Sequence, residues 1–298
     1  QAIVLNPDYA KAHNNLANVL LAQGRSIDAV ASYRKALSIA PDDAETHANL
    51  GIALHELDRL DEAEASYRKA LALDPDYASA HTSLGTTLQE TGRLDEAVAS
   101  HQQALALNPD YAEAHASLGN ALKEMDRLED AVESYSKALA IKPDYVQAHN
   151  NLGVALQELG KLDEAVASYN KAIAIKPDYA EAHTGLGNAL KDIGRLDEAV
   201  ASHLEAIAIK PDFAEGWNNL RPTVKALHVS QAREKGRNDP YQAGLSHAAR
   251  ATTDFAMLEY YLDSFKPHEA DKSYRHAMAA LPSTADEEVL VNGRGRQP

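Results

Sequence analysis

Six histidines stand at one spacing: His13, His47, His81, His115, His149 and His183 each lie 34 residues from the next. Imidazole titrates nearest neutral pH and is the commonest nitrogen ligand for metals, so a regular series of it invites a catalytic or metal-binding reading. Distance decides against that reading. If the intervening residues form stacked helices, equivalent histidines in successive units sit at least about 8–10 Å apart, the separation of packed helix axes. The ligands of one zinc ion must all lie about 2 Å from it. The six are therefore expected to be packing residues with a polar edge, with a distributed acid-sensitive stack as their remaining chemical role, and no metal or other cofactor is expected. Nothing else in the chain assembles a reaction centre. There is no cysteine, and no phosphate loop, nucleophile elbow or His-Glu-x-x-His stretch, so the chain is expected not to be an enzyme.

What positions the histidines is a period. The phrase "PDYAEAH" occurs at Pro109–His115 and again at Pro177–His183, and Pro7, Pro41, Pro75, Pro109, Pro143, Pro177 and Pro211 are each 34 residues apart. A fixed period of that length marks a stacked array. Counting Ala10 as place one, further units begin at Ala44, Ala78, Ala112, Val146, Ala180 and Ala214. In "AEAHASLGNALK", His115, Leu118, Gly119 and Leu122 recur at three- and four-residue spacing; in "LEDAVESYSKALAI", Leu128, Ala131, Val132, Tyr135, Ala138 and Leu139 do the same. Each unit thus reads as two amphipathic helices. Gly24, Gly92, Gly160 and Gly194, with Asp58 and Asp126 in the remaining units, stand between the helices where a left-handed residue ends the first. The proline stops the second helix, and the Asp after it is expected to N-cap the next.

The formal charge is −15, and the repeated part carries it: Gln1–Lys210 has 18 basic against 32 acidic residues, the remainder 11 against 12. Phosphate binding needs a positive field, so no nucleic-acid partner is expected, and basic or neutral protein or peptide partners fit better. No apolar run reaches membrane-spanning length, so no membrane partner is expected and the expected location is the cytoplasm. The chain opens on Gln1 rather than Met, and "QAIVLNP" reads as the end of a helix, so a trimmed chain is expected.

The 34-residue unit resembles the tetratricopeptide repeat. In the unit from Ala44 the residues carrying the likeness are Leu50, Gly51, Ala63, Tyr67, Ala70 and Pro75. The departures are systematic. Histidine stands at place four of the first six units where the family often has tryptophan, restored only as Trp217, and His101 and His203 replace the tyrosine of the second helix. The resemblance implies an all-α fold, a right-handed α-solenoid of stacked antiparallel helix pairs with the first helices lining a concave groove.

Helical spacing puts places two, five, six, nine, twelve and thirteen on the groove side. Place six holds Asn15, Asn49, Ser83, Ser117, Asn151, Gly185 and Asn219, and place nine adds Asn18, Asn120 and Asn188. An asparagine amide both donates and accepts, so such a column can hold the backbone of an extended peptide. It is similar to the asparagine ladder of O-linked N-acetylglucosamine transferases, with a weak rung at Gly185. Place thirteen is acidic at Glu56, Glu90, Glu124, Glu158 and Asp192, which would repel a C-terminal carboxylate. The leading expectation is an interaction scaffold for extended peptides that also assembles end to end with its own kind, through the apolar end containing Ile3, Val4 and Leu5. The alternative is the substrate-recruiting part of a larger bacterial glycosyl- or sulfotransferase.

The expected organisation is the end of a preceding helix over 1–9, six regular units over 10–213, a degenerate seventh with an insertion over 214–250, a divergent capping unit over 251–284, and a tail or linker over 285–298. Pro222 falls inside a first helix and "REKGRNDP" reads as turn-rich, which marks the break. Tyr261, Ala270, Tyr274 and Ala277 carry the repeat's return before Pro282.

Overall fold

The structure, a computed structural model, describes residues 9–237. The expectations for Gln1–Asn6, for the capping unit and for the tail lie outside those residues. The described residues form thirteen α-helices and no strand. The chain divides into two compact units, Gln1–Leu159 and Gly160–Pro298.

In the first unit the helices are α1 (Ala10–Ala22), α2 (Ser26–Ile39), α3 (Ala44–His55), α4 (Leu60–Leu73), α5 (Ala78–Glu90), α6 (Leu94–Leu107), α7 (Ala112–Glu124), α8 (Leu128–Ile141) and α9 (Val146–Glu158). Within each of the first four repeats the two helices pack together, and the second helix packs on the first helix of the next repeat. The second unit holds α10 (Leu162–Ile175), α11 (Ala180–Asp192), α12 (Leu196–Ile209) and α13 (Ala214–Arg237), packed in the same succession. Each unit is a stack of helical hairpins.

The turn inside a hairpin closes as its residues demand. Gly24, Gly92, Gly160 and Gly194 have φ between 72° and 86°, and Asp58 and Asp126 take the same region at 57° and 58°. The amide after the turn residue then reaches back five positions, as in Arg25 N–H to the Leu20 carbonyl at 2.9 Å and Arg127 N–H to that of Leu122 at 2.9 Å. These bonds satisfy carbonyls that a helix end leaves open.

The turn between repeats is made differently from the expectation. The residue before each of the first helices is Tyr9, Asp43, Tyr77, Tyr111, Tyr145 or Tyr179, and none makes a side-chain cap bond. Polar residues ahead of the proline hold the turn instead: Asp74 Oδ1 accepts from the Asp76 amide at 3.1 Å and Asn108 Oδ1 from that of Asp110 at 3.2 Å. Lysines close over the aromatic side chains there, with Lys142, Lys176 and Lys210 4.8, 5.3 and 5.1 Å from the ring centres of Tyr145, Tyr179 and Phe213.

The core is built on a close approach at place eight. A Cβ on Gly119 would lie 2.7 Å from Tyr135 Cε1, and one on Gly85 would lie 2.6 Å from His101 Cε1. Glycine there lets these rings lie close on the first helix, while Ala17 at the same place of the first repeat is the largest residue found against a ring. Tyr33, Tyr67, Tyr135 and Tyr169 are among the largest fully enclosed side chains of the described residues.

Pro222 does not end α13, which runs through it to Arg237 and takes in the first part of the stretch read as turn-rich. Proline inside a helix removes one backbone bond, at a cost of about 3 kcal/mol. Packing offsets this: Trp217, Leu220, Val224 and Leu227 lie buried against Val200, Leu204 and Ile207 of α12. Pro222 itself points outward and is exposed.

Candidate peptide-binding face

The place-four histidines are joined to the turn that precedes them. Nε2 of His47, His81, His115, His149 and His183 lies 2.8, 3.0, 2.9, 2.9 and 2.9 Å from the carbonyl oxygen of Pro41, Pro75, Pro109, Pro143 and Pro177. Trp217 does the same, its indole N–H donating to the Pro211 carbonyl at 3.0 Å. Histidine can therefore stand where tryptophan does in the repeat, because both rings carry an N–H at the required reach. This bond takes up Nε2 of each ring. Among the described residues no three His, Asp or Glu side chains come together to hold an ion.

Place five of the first six repeats is not part of the groove, whereas Asn218 at that place in the seventh is exposed. Asn14, Ala48, Thr82, Ala116, Asn150 and Thr184 are all buried, between 1% and 9% exposed. Ala48 packs with Ala70 and Ala80, and Ala116 with Ala138 and Ala148. A first helix is covered by its own partner and by the following repeat, so the exposed sector is narrower than one amphipathic face implies.

Places six and nine form a connected polar system. Asn18 and Asn120 sit one turn below the ends of buried tyrosines, and the Tyr33 and Tyr135 hydroxyls donate to their Oδ1 atoms at 2.6 and 2.7 Å. Burial, then Glu56 and Glu45, push the Tyr33 phenol up to about 12, which keeps it a donor at neutral pH. The same asparagine oxygens accept from the next repeat: Asn49 Nδ2 reaches Asn18 at 3.5 Å, and Asn151 Nδ2 reaches Asn120 at 2.9 Å. With both lone pairs engaged, the Oδ1 of Asn18 and Asn120 is fixed, which sets the orientation of each amide. Asn151 is tied further, its Oδ1 accepting from Asn150 at 3.3 Å.

The other expected rungs differ among themselves. Asn15 is exposed, and Ser83, Ser117 and Asn219 are half-buried. Ser83 is hydrogen-bonded to the Tyr67 phenol, and the Asn219 carbonyl accepts from Thr223 at 2.7 Å. Asn188 keeps a buried Oδ1 with no partner, since its repeat has His203 where a tyrosine hydroxyl would reach it. A side chain at Gly185 would run into the Tyr169 ring, so the gap in the column there is steric. Reasoning from the sequence did not connect the tyrosines to the column. The signal was present as the co-occurrence of Asn at place nine with Tyr 15 residues later, at 18/33 and 120/135.

Beside these amides runs the acidic row. Glu56 accepts from Ser26 at 2.7 Å, Glu124 from Gln89 at 2.6 Å, and Glu90 lies 3.0 Å from His55 Nε2. These links join one repeat to the next while Glu56, Glu90, Glu124 and Glu158 remain exposed.

A TPR repeat model matches residues 87–126, 119–160, 156–194 and 187–220, and tetratricopeptide repeat models match 8–76 and 66–99. The chain belongs to the tetratricopeptide repeat family, whose members are protein–protein interaction scaffolds. Among solved structures it is similar to MamA at 29% identity, with 56% of this chain and 97% of that chain covered and a TM-score of 0.51. It shares its fold with YrrB, described as a TPR protein with an unusual peptide-binding site (24% identity, 67% and 97% covered, TM-score 0.52). It shares it also with PilF of Pseudomonas aeruginosa (24%, 70% and 95%, TM-score 0.63). No curated protein sequence matches the chain. Among the described residues no helix is long and apolar enough to cross a membrane.

Proposed function

We propose that the chain is a non-catalytic scaffold that holds extended, basic or neutral peptide segments along its first helices. The observation that carries this reading is the fixed orientation of the Asn18 and Asn120 amides, each with both acceptor sites filled by Tyr and Asn, which leaves the Nδ2 donors to meet a peptide. Such amides meet peptide carbonyls at no cost in side-chain ordering, because their rotamers are already set. Asn15, Asn49, Ser83, Ser117 and Asn151 complete the polar column of the first unit, the second unit carries Asn188 and Asn219 at the corresponding places, and the exposed carboxylates beside them select cationic side chains. Replacing Asn15, Asn49, Asn151 and Asn219 together by Ala should abolish binding of basic peptides in a fluorescence-polarisation assay, while added salt weakens what the parent binds. A quadruple variant that is folded by circular dichroism and binds with unchanged affinity would place recognition elsewhere on the protein.

Self-association through the first repeat belongs to the same proposal. Leu16 and Val19 are 40% and 54% exposed. Their counterparts Leu50, Leu84 and Leu118 are at most 8% exposed, and Ala53, Thr87 and Ala121 are fully enclosed. Leu16 and Val19 thus leave apolar surface on α1 where the inner repeats are enclosed, and such surface suits a second copy.

A further inference from the structure

We propose that His101 and His203 make the third and sixth repeats acid-releasable joints, in which protonation of the buried imidazole opens its own helical hairpin while the tyrosine-bearing repeats stay closed. Both rings are completely enclosed, and neither nitrogen of either ring has a hydrogen-bond partner. They occupy the place held in other repeats by Tyr33, Tyr67, Tyr135 and Tyr169. Each lies flat on a glycine of the first helix: a Cβ on Gly85 or Gly187 would be 2.8 Å from Nε2 of His101 or His203. There is no room for water on that side, and an imidazolium there would have two unanswered N–H donors.

The surroundings hold nothing to receive the charge. His101 on α6 is packed by α5 and α7, whose titratable groups are His81 and Glu90, and Glu113, His115, Lys123 and Glu124. His81 and His115 are bound to proline carbonyls, Glu113 to Lys142, Glu124 to Gln89, and Glu90 lies against His55. Burial alone lowers the His101 imidazole, to about 4. His203 on α12 is packed by α11, with Glu181, His183, Lys191 and Asp192, and by α13, with Glu215, Arg221 and Lys225. Burial lowers it to about 4, and Lys191 adds to the effect.

An unfolded histidine titrates near 6.5, so the open hairpin takes up a proton that the closed one refuses. Stability from these rings is whole above about pH 6.5 and falls as the pH drops toward 4. Between pH 7.5 and 5 each opening equilibrium should rise about 30-fold from this linkage. Tyrosine has no such response.

The test is hydrogen exchange by mass spectrometry on the full chain at pH 7.5 and 5, corrected for intrinsic exchange, with His101→Tyr/His203→Tyr as the comparison. The expected result is an about 30-fold gain in opening of α5–α6 and α11–α12 at pH 5 that the tyrosine variant lacks. Equal acid response in the fourth repeat, or a response that persists in the tyrosine variant, overturns the proposal. Proton NMR of the parent supplies a second reading that needs no variant: titration of both imidazoles near pH 6.5 in a fully protected protein also overturns it.

Discussion

Gly119→Leu tests how the hairpins are closed. An added Cβ would sit 2.7, 2.8 and 3.0 Å from Cε1, Cδ1 and Cζ of Tyr135, three atoms of one rigid ring that is 0% exposed. The ring cannot swing away without surrendering the 2.7 Å bond from its hydroxyl to Asn120. The first repeat limits the effect of Cβ alone: Ala17 occupies the equivalent place, fully buried, and Tyr33 still reaches Asn18 at 2.6 Å. Gly119→Ala should therefore be close to neutral, a helix-propensity gain of about 1 kcal/mol offsetting a small shift of the ring. Leucine adds three more carbons with nowhere to go and should cost about 1–3 kcal/mol by overpacking. In an array with nearest-neighbour coupling the loss falls on α7, α8 and the repeats beside them. Urea unfolding followed by circular dichroism, with hydrogen exchange to locate the loss, measures both variants. A leucine variant as stable as the parent, or an alanine variant as costly as leucine, would refute the argument.

Two further outcomes follow from the same contacts. His115→Phe should fold normally and lose about 0.5–1.5 kcal/mol, the net value of the bond to the Pro109 carbonyl, whereas His115→Trp should lose less because Trp217 already makes that bond; micromolar stoichiometric zinc binding, lost on removing any one of the six histidines, would contradict the structural role. Concentration-dependent association in light scattering should disappear in Leu16→Ser/Val19→Ser, and a strictly monomeric parent at high concentration would remove the basis for end-to-end assembly.

The fold was legible because every repeat repeats its punctuation. Proline at one place and glycine or aspartate at another mark both turns, which puts Leu50 and Gly51 on one helix and Ala63 and Tyr67 on the helix packed against it. The groove was half legible. Place five looked exposed because an amphipathic wheel assumes one buried side, while α3 and α7 have two. The small size of Ala48, Thr82 and Ala116 was the available sign. Aspartate after proline looked like an N-cap because it so often is one, but the helix begins a residue later, after Tyr77 or Tyr111. The asparagine column was visible as composition, yet its organisation depended on tyrosines assigned only to the core.

That organisation makes a residue away from the groove part of its chemistry. Once the Tyr135 hydroxyl is gone, one acceptor site of Asn120 Oδ1 is open, and Asn151 alone at 2.9 Å holds the amide in place. The side chain can then turn, and its Nδ2 donors are no longer held in one orientation. Tyr135→Phe leaves the ring on Gly119 and should cost only about 0.5–1.5 kcal/mol of stability. Peptide affinity should nevertheless fall severalfold, although the hydroxyl never touches the peptide. Tyr67→Phe, whose phenol is bonded to Ser83 and not to a place-nine asparagine, should weaken binding less. If both variants bind alike and as tightly as the parent, the amides need no anchoring, and the tyrosines serve the core alone.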